Sequence, residues 1–299
     1  MLKPAPILLF TYKRLDTLTQ TVVSLKDNYL AAESELFIFS DGGKDDRDQA
    51  KVCEVRRYIR SISGFRNVFI FESNQNNGLA DSVISGVSKI INDYGKVIVL
   101  EDDLITSKNF LSFQNQALNY YVDNSRVFSI GGYTRPIPGL CGNEIYFTKR
   151  ASSWGWATWK DRWNRVDWEV NDYSLFCKNR LIRKRFNEMG SDMAGMLDKQ
   201  MRGEINSWAI RWCYHQFKNN LVTVYPGKSK VKNIGFGEFA SHTKGIFNSF
   251  NTELDEEGNT TFIFSDNLIL DKKIMKQFLR PYSISERVKN KVLNALSAV

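Results

Sequence analysis

Glu101, Asp102 and Asp103 follow one another directly at the end of a short apolar run, Lys96-Val97-Ile98-Val99-Leu100. Three adjoining carboxylates repel one another, so at the end of a buried strand they require a compensating cation. Val97 to Leu100 have the unbroken aliphatic character of a strand covered on both faces. In a doubly wound α/β sheet, the carboxyl ends of strands are where ligands bind. An all-oxygen donor set suits a hard divalent ion, Mg²⁺ or Mn²⁺, shared with a phosphorylated substrate. The same acids would also serve as a solvated turn opening the next helix, whose N-terminus favours negative charge. The triplet alone leaves both readings open.

The chain before the triplet reads as repeated strand–helix units. Pro6 to Thr11, Leu36 to Ser40 and Val68 to Phe71 are apolar strands. Leu15, Leu18, Val22 and Leu25 recur at helical spacing after the first, and Val52, Val55, Ile59 and Ile62 after the second. Leu79, Val83, Val87 and Ile91 stripe the third helix, and Leu111, Leu118 and Val122 the one after the triplet. Such alternation predicts an α/β fold with a mostly parallel sheet covered on both faces. Past residue 130 the pattern changes to loops (Gly131-Gly132, Pro136 to Gly142), a tryptophan-dense stretch, and a basic helical region over 172–219. A polar stretch from Asn251 to Thr261 precedes a basic C-terminal segment. The domain boundaries expected are 1–250 for one catalytic domain, with halves 1–130 and 131–250, and 251–299 for a tail.

The 299 residues include 41 Lys and Arg against 33 Asp and Glu, a formal net charge of +8 that favours anionic partners. No nucleic-acid-binding motif accompanies the charge, so nucleic acid is not the expected partner. Cys53, Cys141, Cys177 and Cys213 lie far apart without a C-x-x-C pair, which excludes a zinc-ribbon pattern and fits a reducing cytoplasm. With only His215 and His242, a histidine-rich metal centre is excluded. No apolar stretch is long enough to span a bilayer, and the N-terminus lacks a secretion-signal pattern.

Thr11-Tyr12-Lys13-Arg14, Ser40-Asp41-Gly42-Gly43, Asn77-Gly78-Leu79-Ala80 and Glu101-Asp102-Asp103 occur in an order that resembles GT-A-fold, nucleotide-sugar-dependent glycosyltransferases. The likeness is to the N-acetylglucosaminyltransferase I type and to bacterial polysaccharide transferases. Ser153-Trp154-Gly155-Trp156-Ala157-Thr158-Trp159 and Asn233-Ile234-Gly235-Phe236-Gly237 extend it over roughly residues 5–245. The resemblance implies a Rossmann-like GT-A sheet, a UDP-sugar donor and Mn²⁺ or Mg²⁺. It implies donor contacts from Thr11, Arg14, Asp41, Asn77, Gly78, Glu101 and Asp102, and direct metal ligation by Asp103. Gly155, Trp156 and Trp208 match the acceptor side, and His242 a second metal ligand or phosphate contact. Residue chemistry leaves other roles open: Asp41 as a turn aspartate, Arg14 as a solvated first-turn residue, Asn77 as a helix cap, His242 as a buried structural histidine. Trp156 and Trp159, three apart, would share a helix face and simply be core.

Direct displacement at an anomeric carbon needs a carboxylate within reach of the acceptor hydroxyl. Relatives carry that base in or just before the segment matching Gly203 to Trp212, where Asp is expected but Asn206 and Ala209 stand. Glu204 is the nearest carboxylate, freed by a turn at Gly203, and Glu238 is the reserve. The expectation is therefore a cytoplasmic, inverting, metal-dependent hexosyltransferase acting on a lipid-linked glycan in surface polysaccharide assembly. Its rivals are a nucleotidyltransferase that makes sugar nucleotides and a non-catalytic relative that binds them. The absence of glycine between Pro6 and Arg14 counts against the first. At the C-terminus, Ile284, Val288, Val292 and Leu296 recur every four residues among Lys and Arg, a pattern for a peripheral helix on an anionic membrane surface. Packing on the domain or on a second copy would use the same stripe.

Overall fold

The computed structural model describes residues 3–235 and 250–296. The four apolar runs form strands β1 (Ile7–Thr11), β2 (Glu35–Ser40), β3 (Asn67–Glu72) and β4 (Lys96–Glu101). They pair in parallel in the order β3-β2-β1-β4, with Leu9 opposite Leu100 and Phe10 opposite Glu101. The crossovers are helices α1 (Leu15–Lys26), α2 (Asp46–Ile59) and α3 (Leu79–Tyr94). The aliphatic run of β4 is buried on both faces. Val97 and Val99 enter the cluster beneath α3, whereas Ile98 and Leu100 enter the one beneath α1. Ile62 and Val122, placed on helix stripes by spacing, lie just beyond the ends of their helices.

After β4 the chain makes β5 (Leu104–Thr106), α4 (Phe110–Tyr120), β6 (Val127–Gly131) and β7 (Ile145–Thr148). Then come β8 (Trp156–Trp159), α5 (Lys160–Trp163), α6 (Tyr173–Lys178), α7 (Arg180–Phe186), α8 (Met193–Met201) and α9 (Trp208–Lys218). Strands β9 (Val222–Pro226) and β10 (Val231–Asn233) are followed by α10 (Lys272–Leu279) and α11 (Ile284–Leu296). The main sheet has eight strands in the order β3-β2-β1-β4-β8-β6-β9-β7, with β8 antiparallel to both its neighbours. β10 pairs with β5 in a small second sheet. This is the α/β, mostly parallel architecture expected, extended by a mixed half.

The tryptophan stretch is a correction. A spacing of three suggested a shared helix face, but Trp156 to Trp159 is strand β8, in which successive side chains alternate. Trp156 therefore enters the cluster beneath α3 and α9, and Trp159 the opposite one, where its indole donates to the Leu118 carbonyl at 3.0 Å.

The segment after residue 250 is not a free tail. Phe262 is buried in the main core, Phe278 packs on Tyr225, and the Tyr121 hydroxyl donates to the Ser265 carbonyl at 2.9 Å. Buried Lys230 pairs with Asp255, which also accepts from Asn109 at 2.8 Å. Helix α11 behaves differently: Ile284, Val288 and Val292 are exposed. No helix among the described residues is long and apolar enough to cross a membrane.

Candidate active site

Strand order reverses between β1 and β4, because β2 and β3 extend the sheet on one side of β1 and β4 on the other. A crevice at the carboxyl ends of two such strands is the ordinary ligand position of an open α/β sheet. Here the crevice is built by Thr11 to Arg14 after β1 and Glu101 to Asp103 after β4. The Thr11 hydroxyl and the Tyr12 N–H donate to Asp102 Oδ2 at 3.0 and 3.2 Å. The Arg14 guanidinium pairs with Asp102 and, at 2.9 Å, with Asp103. Asp102 and Asp103 are buried, and Arg14 is the only cation that contacts them among the described residues.

The electrostatics follow from that count. Burial opposes the charge on Arg14, but Asp102 and Asp103 outweigh it and raise its pKa. Burial likewise pushes the Asp103 carboxyl up, against the lowering effect of Arg14. Glu101 is pushed up to about 8, first by desolvation and then by the charges of Asp103 and Asp102. One guanidinium therefore does not balance three carboxylates. On charge and donor hardness these residues fit a divalent ion. They do not form a closed cage, since no group of three candidate ligand side chains occurs among the described residues. A metal here would rest on Asp103 and take its remaining oxygens from a ligand. The Asn233–Gly235 turn lies directly over that carboxylate. Asn233 donates to Asp103 Oδ1 at 3.4 Å, and a Cβ at Gly235 would overlap the carboxylate.

Asp41, at the end of β2, accepts from the backbone N–H groups of Gly42, Asn77 and Gly78 at 2.9–3.0 Å and from the Asn76 amide at 3.1 Å. Its carboxylate thus fixes the loop that opens α3, the turn-building role open to it from sequence. The Asn77 amide turns to Ser73, while Gly78 holds φ +77° with open space where a side chain would stand. Asp81, in the first turn of α3, was not singled out by sequence. It accepts from the Asn206 amide at 3.3 Å, and Asn206 in turn accepts from buried Arg211 at 3.2 Å. The position where a carboxylate was expected thus holds an amide that touches a carboxylate supplied by α3. Its only sequence signal was an acid next to Asn77-Gly78-Leu79-Ala80.

Glu204 sits on the turn between α8 and α9, where Gly203 has φ +72° as its position predicted. Its carboxylate is exposed and paired with Arg202 at 2.5 Å, and that guanidinium holds it below the usual carboxylate range. Glu238 and His242 lie outside the described residues.

Gly155 is buried against Val231 and Phe110, and its carbonyl accepts from Gln114 at 3.0 Å. Trp156 and Trp208 do not offer a sugar platform. Both are buried with ring centroids 4.9 Å apart, in a cluster with Trp163 and Trp212. The half-buried Trp154 packs instead on Tyr133 and Phe250, with ring centroids 4.6 and 6.0 Å away. It lines a cavity of about 230 Å³ with Tyr133, Met196, Ile210, Phe250 and Tyr282. β10 touches the acids and the residue that follows Trp154: Asn233 reaches Asp103, and Val231 lies against Gly155.

No family model and no curated protein matches the sequence. Among solved structures, the chain is similar to the mannosyltransferase PcManGT from Pyrobaculum calidifontis in complex with GDP-Man and Mn²⁺, at 11% identity and a TM-score of 0.41. That match covers 56% of this chain and 48% of the other. It is also similar to TarS 1–349 from S. aureus in complex with UDP, at 12% identity, a TM-score of 0.40, and coverage of 76% and 59% respectively. The chain therefore spans less than two thirds of the length of either one.

Proposed function

We infer that the chain is a GT-A-type glycosyltransferase that takes a sugar from a nucleoside diphosphate, a UDP-sugar first among them. The observation that carries this reading is the meeting of Arg14 with Asp102 and Asp103 at the β1–β4 switch point, where one cation among the described residues faces three acids. Arg14, with the Thr11–Tyr12 backbone, would orient the nucleoside, and Glu101 and Asp102 would face the ribose and sugar. Asp103 would hold a divalent ion, Mn²⁺ or Mg²⁺, which when bound neutralises charge on the departing diphosphate. The open space at Gly78 would let the α3 N-terminus approach the donor closely. The aromatic cavity beside Trp154 would receive the acceptor glycan, its rings suited to the apolar faces of sugars.

In an inverting displacement the acceptor oxygen bonds to the anomeric carbon, the bond to the diphosphate breaks, and a carboxylate takes the hydroxyl proton. Asp81 fills that role better than Glu204, because it stands on the first turn of α3 and touches the segment where the base was expected. Glu204 is tied to Arg202. Asp81→Asn should lower turnover by about 10²–10⁴ with donor affinity nearly intact, whereas Glu204→Gln should stay near the parent. The reverse result would return the role to Glu204.

Calorimetry with UDP and with GDP, each with and without Mn²⁺, followed by a donor-hydrolysis assay, tests the whole reading. Tight binding should require the ion and vanish in Asp103→Ala while melting shows an intact fold. Metal-independent UDP affinity that Asp103→Ala leaves unchanged would refute the assignment. Binding without any turnover on sugar donors would favour a non-catalytic relative.

A further inference from the structure

Leu175 and Leu181 are the most exposed large apolar side chains described, at 73% and 74%, with Ile182 beside them at 37%. They belong to α6 and α7, two short helices joined by Asn179, which caps α7 by accepting from the Leu181 and Ile182 N–H groups. The run from Tyr173 to Asn187 contains no acidic residue. Arg183 pairs with Asp198. Lys178, Arg180, Lys184 and Arg185 are exposed and have no ion-pair partner among the described residues. Phe176 and Phe186 anchor these helices in the core, so the leucines stand out because their helices are fixed from behind.

A second element of the same chemistry adjoins this corner. Ser191, five residues past the end of α7, donates its N–H to Tyr282 and accepts from Arg287 of α11 at 3.1 Å. From there α11 presents Ile284, Val288 and Val292 outward, with Arg287 and Lys289 exposed beside them. Unlike α10, whose Phe278 is buried, α11 leaves Ile284, Val288 and Val292 uncovered.

We propose that the α6–α7 corner and α11 together form a docking surface for an anionic lipid bilayer. Exposed leucine and valine among unpaired cations match a surface whose headgroups carry negative charge and whose interior accepts aliphatic side chains. Nucleic acid would be met by cations with stacking rings, and this surface offers aliphatic chains in their place. The inference does not depend on the transferase reading, because lipid binding is measured without any sugar donor.

The test is co-sedimentation of the full chain with phosphatidylglycerol–phosphatidylcholine vesicles and with phosphatidylcholine vesicles alone. Binding should require phosphatidylglycerol and fall with salt. Each cation near the surface contributes about a fivefold factor, so Arg180→Glu/Lys184→Glu/Arg185→Glu should weaken partitioning by roughly a hundredfold. Leu175→Ser/Leu181→Ser and Val288→Ser/Val292→Ser should each weaken it by about tenfold or more. Circular dichroism and melting of every variant control for folding, and Lys184→Gln/Arg185→Gln serves if charge reversal disturbs the fold. Equal partitioning onto neutral vesicles, or loss with only one of the two elements, overturns the composite surface. Dimerisation that the leucine variant abolishes, or RNA binding without vesicle binding, overturns the lipid assignment.

Discussion

Replacing Arg14 by Met removes the one cation that contacts Asp102 and Asp103 among the described residues, while keeping much of the apolar stem. Both acids are buried, so the variant strands two carboxylates in place of two ion pairs. Breaking a buried pair by removing one partner costs about 3–5 kcal/mol. The Arg14 side chain is 23% exposed, so water screens part of the interaction and the expected loss lies near the lower end, about 3 kcal/mol. At about 2–4 °C per kcal/mol for a large single domain, that is a fall of roughly 6–12 °C in melting temperature. Denaturant titration of the parent, Arg14→Met, Asp103→Asn and the double variant would measure it. If the loss comes from uncompensated charge, Arg14→Met/Asp103→Asn should be more stable than Arg14→Met alone, giving a coupling of about 1–3 kcal/mol. Millimolar Mn²⁺ should recover part of the loss in Arg14→Met and none in the double variant. A single-variant loss below about 1 kcal/mol, or strict additivity in the cycle, would refute the idea that Arg14 holds an over-charged acid cluster together.

The buried Lys230–Asp255 pair gives a second prediction: Asp255→Asn should cost about 3–5 kcal/mol at neutral pH by leaving Lys230 buried and unpaired. Burial pushes the Asp255 carboxyl up, but the Asn109 amide and the Lys230 ammonium outweigh it and hold it below the usual range. Its contribution is therefore present above the unfolded value near 4 and lost as pH falls through the lower folded value, so the gap between parent and variant should close only in acid. Chemical unfolding at pH 7 and pH 3 checks this; a gap that persists in acid would count against it. Trp156→Ala should destabilise by about 3–5 kcal/mol, read from thermal melting, because it empties the centre of the tryptophan cluster. A stable Trp156→Ala variant that loses only acceptor binding would restore the acceptor-side role.

The first half of the fold was legible because each strand is a continuous aliphatic run and each crossover helix has a clean stripe, so period and order together imply parallel pairing. The mixed half was not. Strands β6 to β9 are only four or five residues long, and β8 is so rich in tryptophan that a spacing of three imitates a helix. The acid triplet could be read from sequence because charge at the end of an apolar strand is unusual. Its pairing with Arg14 could not be read there, where Arg14 stood as a donor contact or a solvated arginine, since 88 residues separate Arg14 from Asp102. Asp81 escaped notice because a lone acid in the first turn of a helix is ordinary, and only the tertiary contact with Asn206 sets it apart. The polar run from Asn251 to Thr261 reads as the start of a tail, yet Thr252 and Asp255 are buried through hydrogen bonds that no hydrophobic pattern announces.

The position of β8 bears on how the chain comes off the ribosome. Strands β1 to β4 complete their parallel pairing by residue 101, but the outer edge of β4 stays open until residues 156–159 emerge. During that interval the acid-bearing strand is a free edge with apolar side chains on both faces, a template for pairing with another nascent chain. Its terminal carboxylates would then act as gatekeepers, since like charges oppose the docking of a second identical edge in register. Slow elongation between residues 101 and 159 should therefore raise aggregation in a variant with Asp102 and Asp103 neutralised more than in the parent.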